Sequence, residues 1–342
     1  MEVRSRLRAA VFSIGRFTGL SSVVGARYRG RGMIFGLHSV VDDDALCVDQ
    51  TLRCSTRQLE RTLSWLRAEN IDFVDLDEAV RRLQDSDLRP FACFTLDDGY
   101  ADNLTRALPV MERFGAPFTV YVTTGMVTRE IDAWWFGLAA LVRSQDRVEL
   151  TSQLSVECTG LSHKKQAFER LERLIDEDRS LLPHLREVIA KNGIDCRALV
   201  DREALNQDQL RELSRHPLVT IGGHTMTHCN LARASASTAR WEVAENRRFL
   251  QEVTGKPVDH FAYPFGHERA CGEREADISR EMGFRTAVTS RWGTLFAEHA
   301  NHRHSLPRLH LAWNDTSATL RCKVDGFDRV MRSGFKDPIV RM

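Results

Sequence analysis

Residues 91–96 read FACFTL, an uncharged and almost wholly apolar run that passes directly into Asp97-Asp98-Gly99. A strand apolar on both faces has to be covered on both faces, which is the habit of parallel sheets flanked by helices. The pattern recurs in short apolar runs at 33–37 (MIFGL), 73–74 (FV), 118–122 (FTVYV), 219–222 (VTIG), 261–263 (FAY) and 286–289 (TAVT). Between them lie stretches of helical spacing, such as Leu59, Leu63 and Leu66 within 58–69, a further stretch at 77–83, and 103–114, where Pro109 forces a kink or a restart. About seven strands alternating with helices predict an α/β fold, either a barrel or an open doubly wound sheet. One stretch breaks the rhythm. From 129 to 209 there is no strong strand signal; it opens with Trp134-Trp135-Phe136 and continues in charged helical segments at 164–178 and 182–191. It reads as a helical insertion of about eighty residues in an interstrand loop, far longer than connecting loops usually run.

Charge narrows the function classes. Lys and Arg total 48 and Asp and Glu 47, a net +1, so the electrostatic footprint of a dedicated nucleic-acid binder is missing. No apolar run approaches the ~20 residues of a membrane-spanning helix. The imbalance is local: residues 1–31 hold seven Arg and one Glu, a net +6. Such a leader suits either peripheral contact with an anionic membrane or a packed terminal helix. Arg16 interrupts its apolar stretch, so there is no clear signal peptide, and a cytoplasmic location is expected. Eight cysteines without a CxxC pair read as reduced core thiols, and Cys229, beside a histidine motif, reads as packing.

Three constellations carry chemistry. Asp97 and Asp98 sit where a buried strand ends, the place where parallel α/β folds put their sites. One carboxylate could bind a metal while the other takes a proton from water; helix N-capping is the plainer alternative. His224-Thr225-Met226-Thr227-His228 also follows a strand, and its His-x-x-x-His spacing puts two imidazoles on one side of a helical turn, a spacing used for zinc; two unrelated polar histidines are the plainer alternative. One carboxylate and two histidines form a facial set with open positions for water and substrate. Phe261-Ala262-Tyr263-Pro264-Phe265-Gly266 ends a third strand: its aromatics can wall a sugar-sized pocket, and a backbone N–H after Pro264 can face an oxyanion. His38 ends the first strand, and Arg308 and His310 lie late in the chain as candidates for orienting a carboxylate and donating a proton. His299, His302 and His304 sit in a loop-like stretch and read as solvated.

TLDDGY, HTMTH and FAYPFG stand in the order and approximate separation of the polysaccharide deacetylase family (NodB homology, carbohydrate esterase family 4), and residues 33–311 resemble that family. The resemblance implies a deformed (β/α)7 barrel and metal-dependent removal of an acetyl group, usually N-linked and sometimes O-linked, from a sugar. It implies Asp97 as general base, Asp98, His224 and His228 as ligands of one divalent ion, usually zinc, and a carbohydrate bearing N-acetyl groups as substrate. The expected organisation is a basic leader (1–31), a barrel (32–315) carrying the insertion (129–209), and a C-terminal tail or helix (316–342). The sequence departs from the family pattern in three places. Where the third motif commonly has Arg two residues before proline, this chain has Ala262, and Arg308 is the candidate substitute. Phe265 replaces the usual Tyr or Trp but keeps its N–H for the oxyanion. The late Leu-x-His proton donor is blurred, since Leu309 and His310 are adjacent; His38, similar to an N-terminal histidine of many members, is the first candidate acid and His310 the second. The competing readings are a deformylase or O-deacetylase of a lipid-linked or other sugar, and a carbohydrate-binding relative without activity. A glycosyltransferase using Asp-Asp would leave the histidine pair unexplained.

Overall fold

Residues 25, 27–43, 48–49, 52–85, 89–334 and 337–342 are described by the structure, a computed structural model. Most of the basic leader (1–24 and 26) and Cys47 lie outside the described residues. The strands are β1 (Gly32–Leu37), β2 (Ser39–Val41), β3 (Arg53–Ser55), β4 (Asp72–Phe73), β5 (Phe91–Leu96), β6 (Phe118–Val122), β7 (Arg147–Thr151), β8 (Leu154–Glu157), β9 (Val219–Gly223), β10 (His260–Ala262), β11 (Thr286–Trp292) and β12 (Leu306–His310). β1 pairs with β5 on one edge and β12 on the other, and the ring continues β12-β11-β10-β9-β6-β5. Every step of this seven-strand ring is parallel. Closure decides between the two architectures the sequence left open: this is a (β/α)7 barrel.

Two expectations need correction. The seventh barrel strand is β12, not the run at 73–74. β4 is a two-residue strand that occupies the edge of β5 ahead of β6, outside the closed ring. Pro307 disguised β12 in the sequence, because proline within a run argues against a central strand. The insertion is not all helical either. It contains the antiparallel hairpin β7–β8 along with helices Trp134–Ser144, Gly160–Glu177, Leu182–Lys191 and Cys196–Glu203. These share an apolar core of their own, built from Leu138, Leu141, Phe168, Leu171, Ile175 and Leu185. At Pro109 the helix restarts: a π-helical turn Asn103–Ala107 gives way to the α-helix Leu108–Arg113 with proline in its first turn.

Strand alternation sorts the barrel residues. Met33, Phe35, Leu37, Ala92, Phe94, Leu96, Val120 and Val122 pack outward in one core with helical residues such as Leu59, Leu63 and Val243. Ile34, Cys93, Tyr121, Ala262, Val288 and Leu306 have the opposite parity and fill the barrel. Leu76, Ala79 and Leu83 of the helix Leu76–Gln84 join that inner cluster and close the N-terminal end. Continuing the inward parity toward the carboxyl ends gives His38, Thr95, Asp97, His224, Arg308 and His310. The period of two thus aims most of the expected site residues at one opening. Gly222 belongs to this inner set because of space, since a Cβ there would stand 2.4 Å from the Tyr121 ring.

Candidate active site

Asp97 lies buried at the mouth of the barrel and is gripped from β12. Arg308 donates Nη1 to Asp97 Oδ1 and Nη2 to Oδ2, both at 2.7 Å, a parallel two-bond fork. The same guanidinium donates Nη1 to Thr95 Oγ1 at 3.1 Å and Nε to the Thr289 carbonyl at 2.9 Å. Burial alone would push Asp97 toward its neutral form, but the Arg308 charge overrides it and holds the carboxyl well below the usual carboxylate range. The position left vacant by Ala262 is therefore served from another strand.

Asp98 follows in the left-handed region, φ 77°, and turns its carboxylate the other way. Its Oδ1 is buried and accepts no hydrogen bond. The Nε2 atoms of His224 and His228 each stand 3.4 Å from it. His224 is oriented by a 2.7 Å contact from Nδ1 to the Ala262 carbonyl, which places its proton on Nδ1 and frees the Nε2 lone pair. One orphaned carboxylate oxygen and two imidazole nitrogens, all within 4.8 Å of one another, fit a divalent cation, and they are the one such group among the described residues.

The His pair does not converge by helical spacing. Residues 224–230 form an irregular loop with Thr225 (φ 64°) and His228 (φ 54°) both left-handed. Non-glycine residues in that region cost energy and persist where the surroundings over-determine them. Two residues of the helix Ala236–Thr254 do so here. Glu242 accepts from Met226 N (2.8 Å), Thr227 N (2.9 Å) and Thr227 Oγ1 (2.6 Å). Asn246 accepts from His224 N at 3.0 Å and donates to the carbonyls of Val122 and Thr225. Sequence reasoning missed both. The available signal was two polar residues aligned with Ala239, Val243 and Leu250 on the buried face of that helix.

The remaining candidates divide. His38 Nε2 is 3.9 Å from Asp97 Oδ2, and its side chain is 19% exposed. Phe265, φ 63°, packs 5.0 Å from the His228 ring, and its N–H makes no hydrogen bond among the described residues. His310 lines the same cavity, but burial, followed by the Arg308 charge, pushes its pKa down to about 3. Tyr263 borders the cavity yet turns its hydroxyl into the layer behind, bonding to the His304 carbonyl at 2.9 Å and Ser279 Oγ at 3.0 Å. Pro264 links it to Phe265. Of the three late histidines expected to be solvated, His302 is exposed, His304 is half-buried with Nδ1 bonded to Ser279 Oγ, and His299 is buried, its Nδ1 accepting from Phe296 N. Cys229 packs at the edge of the barrel core, with its thiol pushed up to about 12 by burial, and the described cysteines are free.

These groups surround a cavity of about 810 Å³. The insertion supplies one wall through Trp134 and Trp135, the latter 5.5 Å from the His228 ring. Trp292 and Trp313 stand on the β11 and post-β12 side. No helix among the described residues is long and apolar enough to cross a membrane.

A family model described as polysaccharide deacetylase matches residues 85–287. Among solved structures, the chain is similar to the Streptococcus pyogenes deacetylase PplD in complex with acetate (16% identity, TM-score 0.56, covering 85% of this chain and 97% of that one). It is similar to IcaB from Ammonifex degensii (16%, TM-score 0.55, 86% and 97%). A de-N-acetylase from Aggregatibacter actinomycetemcomitans is also similar (12%, TM-score 0.55, 85% and 99%). At these identities the likeness is one of fold. No curated protein matches the chain.

Proposed function

The chain belongs to the polysaccharide deacetylase family of hydrolases, and we propose that it is a metal-dependent enzyme that removes N-acetyl groups from an amino-sugar polysaccharide, oligosaccharide or glycoconjugate. The observation that carries this reading is the back-to-back pair at one barrel mouth. Asp97 is kept ionised by Arg308, while Asp98 offers an orphaned oxygen to His224 and His228.

Asp98, His224 and His228 would hold the divalent ion, and zinc suits a set of two imidazoles and one carboxylate. When bound, the ion supplies Lewis acidity that brings water toward a pKa of about 7 and polarises the acetyl carbonyl. Asp97 accepts the proton of the attacking water; its fork to Arg308 fixes the direction of its free lone pairs. The Phe265 N–H faces the oxygen that gains charge, a contact typically worth ~3–4 kcal/mol. His38 donates the proton that lets the amine leave. It stands 3.9 Å from Asp97, whereas His310, partly exposed like His38, has its pKa pushed down to about 3 by burial and the Arg308 charge and is the second candidate. Water adds across the amide C–N bond, and the products are acetate and a free amino sugar.

The test is acetate release from chitooligosaccharides by purified protein, with metal content by elemental analysis, before and after chelation. About one ion per chain and chelator-sensitive release support the reading. Bound metal with formate released from a formamido sugar instead of acetate would reassign the substrate. No metal after reconstitution would remove the catalytic reading.

A further inference from the structure

A second groove of about 830 Å³ adjoins the cavity and shares His267, Ser290 and Trp292 with it. Six arginines line this groove: Arg173, Arg233, Arg269, Arg291, Arg329 and Arg341, against four carboxylates. They come from the insertion helix Gly160–Glu177, from the turn Leu231–Arg233, from the loop after β10, from β11 and from the C-terminal segment. The chain therefore assembles the cluster from five separate places. One of the four carboxylates, Asp176, is already paired with Arg179 at 2.9 Å.

Among the described residues, no carboxylate lies within ion-pair distance of Arg173, Arg233, Arg269, Arg291 or Arg341. Those that are held are held by neutral acceptors. Arg291 donates Nη1 to the Arg341 carbonyl at 2.6 Å and Nη2 to the Cys271 carbonyl at 2.8 Å, and its buried Nε has no partner. Arg233 donates Nη1 to the Asp176 carbonyl at 2.7 Å. A carbonyl fixes a guanidinium in direction without neutralising it, so Arg233 and Arg291 are oriented and keep their charge, and arginines outnumber carboxylates along the groove six to four. Elsewhere on this surface arginines meet carboxylates, as Arg248 does with Glu245 and Glu252. Guanidinium forks match phosphoryl oxygens bidentately. The groove also opens beside the reacting centre, because Ser290 donates Oγ to the Phe265 carbonyl at 2.7 Å.

We propose that this groove binds a phosphoryl group carried by the saccharide, next to the sugar that loses its acetyl group. The proposal rests on the deacetylase reading and narrows its substrate to a phosphorylated glycan. That phosphoryl group could be the phosphodiester of a polymer or the diphosphate of a lipid-linked sugar.

The first arm of the test does not depend on turnover. Calorimetric binding of N-acetylglucosamine 1-phosphate is compared with that of N-acetylglucosamine, using the full-length zinc-loaded chain and the R173Q/R269Q variant. The phosphorylated sugar is expected to bind at least about tenfold tighter to the parent, about 1.4 kcal/mol, with the advantage shrinking as salt rises. In the double variant the two sugars should bind within about twofold of each other, a margin of less than ~0.5 kcal/mol. Equal affinities in the parent, or an advantage that survives in the variant, would overturn the proposal. The second arm compares acetate release from phosphodiester-linked and prenyl-diphosphate-linked N-acetylhexosamines, and the larger kcat/KM identifies the source of the phosphoryl group. Absence of acetate from every substrate would count against the deacetylase reading alone, since the binding difference is read separately.

Discussion

Arg308→Met tests the pair on which the proposed site turns. Methionine keeps an unbranched apolar stem but deletes the fork to Asp97 and the bonds to Thr95 Oγ1 and the Thr289 carbonyl. Arg308 is 2% exposed and Asp97 3%, so the pair is largely desolvated and water makes up little of what is lost. Breaking a buried pair from one side costs ~3–5 kcal/mol, mostly for the charge left behind. The native state escapes part of that cost by protonating Asp97, and this gives the effect a pH signature. In the parent, Asp97 is depressed, so its contribution is fully present above the unfolded pKa of ~3.9 and is lost only as pH falls further. In the variant, burial without Arg308 raises the folded pKa. Stability should then fall as pH climbs from about 4 toward neutrality, where the unfolded state ionises more readily. The gap between the two proteins should therefore widen with pH and reach roughly 3 kcal/mol or more at pH 7. Urea unfolding between pH 4 and 8 measures it. In Asp97→Asn/Arg308→Met no charge is stranded, and at least ~2 kcal/mol should return. A deficit below ~1 kcal/mol that is flat in pH and additive in the double variant would refute the argument.

Asp97→Asn should lower kcat by ~10²–10⁴ with the metal retained, while His224→Ala should lose the metal; elemental analysis beside kinetics separates them. Glu242→Gln leaves the loop without an anionic acceptor for Met226 N, Thr227 N and Thr227 Oγ1. Zinc affinity should drop ~10–100-fold in competition titrations, and unchanged affinity would show that the loop holds itself. Glu172, on the insertion wall of the cavity, is pushed up to about 7 by burial and by Asp49, Asp176 and Glu169. Its native carboxylate costs stability progressively from about pH 4.5 to above 7. Glu172→Gln should thus stabilise by ~1–2 kcal/mol at pH 8 and by little at pH 4, measured by unfolding at both; a gain equal at both pH values would count against it.

The barrel was legible wherever burial on both faces left a continuous apolar run, as in β5 and β6. It was illegible at β12, where Pro307 and an inward Arg308 break the run because this strand serves the site more than the core. β7 and β8 were hidden by polar residues on their exposed face, with the burial pattern of β7 alternating between exposed and buried. The acidic pair and the two histidines could be read from type and position. How the histidines meet could not, because left-handed Thr225 and His228 mimic helical spacing while tracing a loop. Asn246 and Glu242 were out of reach of any local motif, since their partners lie 15 or more residues away. Nothing local in the chain marks Arg308 as the partner of Asp97; only the alanine at 262, where the family it resembles commonly has arginine, points to it.

Ring closure by β12 sets an order of events during synthesis. Asp97 and its cation are 211 residues apart, so a growing chain carries the carboxylate long before its counterion exists. Until residues 306–310 emerge, β1 and β11 are bare parallel edges, open to pairing with other chains. Acquisition of a working site and removal of those edges are one step. Shortened products ending before β12 should be sticky and wholly inactive rather than partly active.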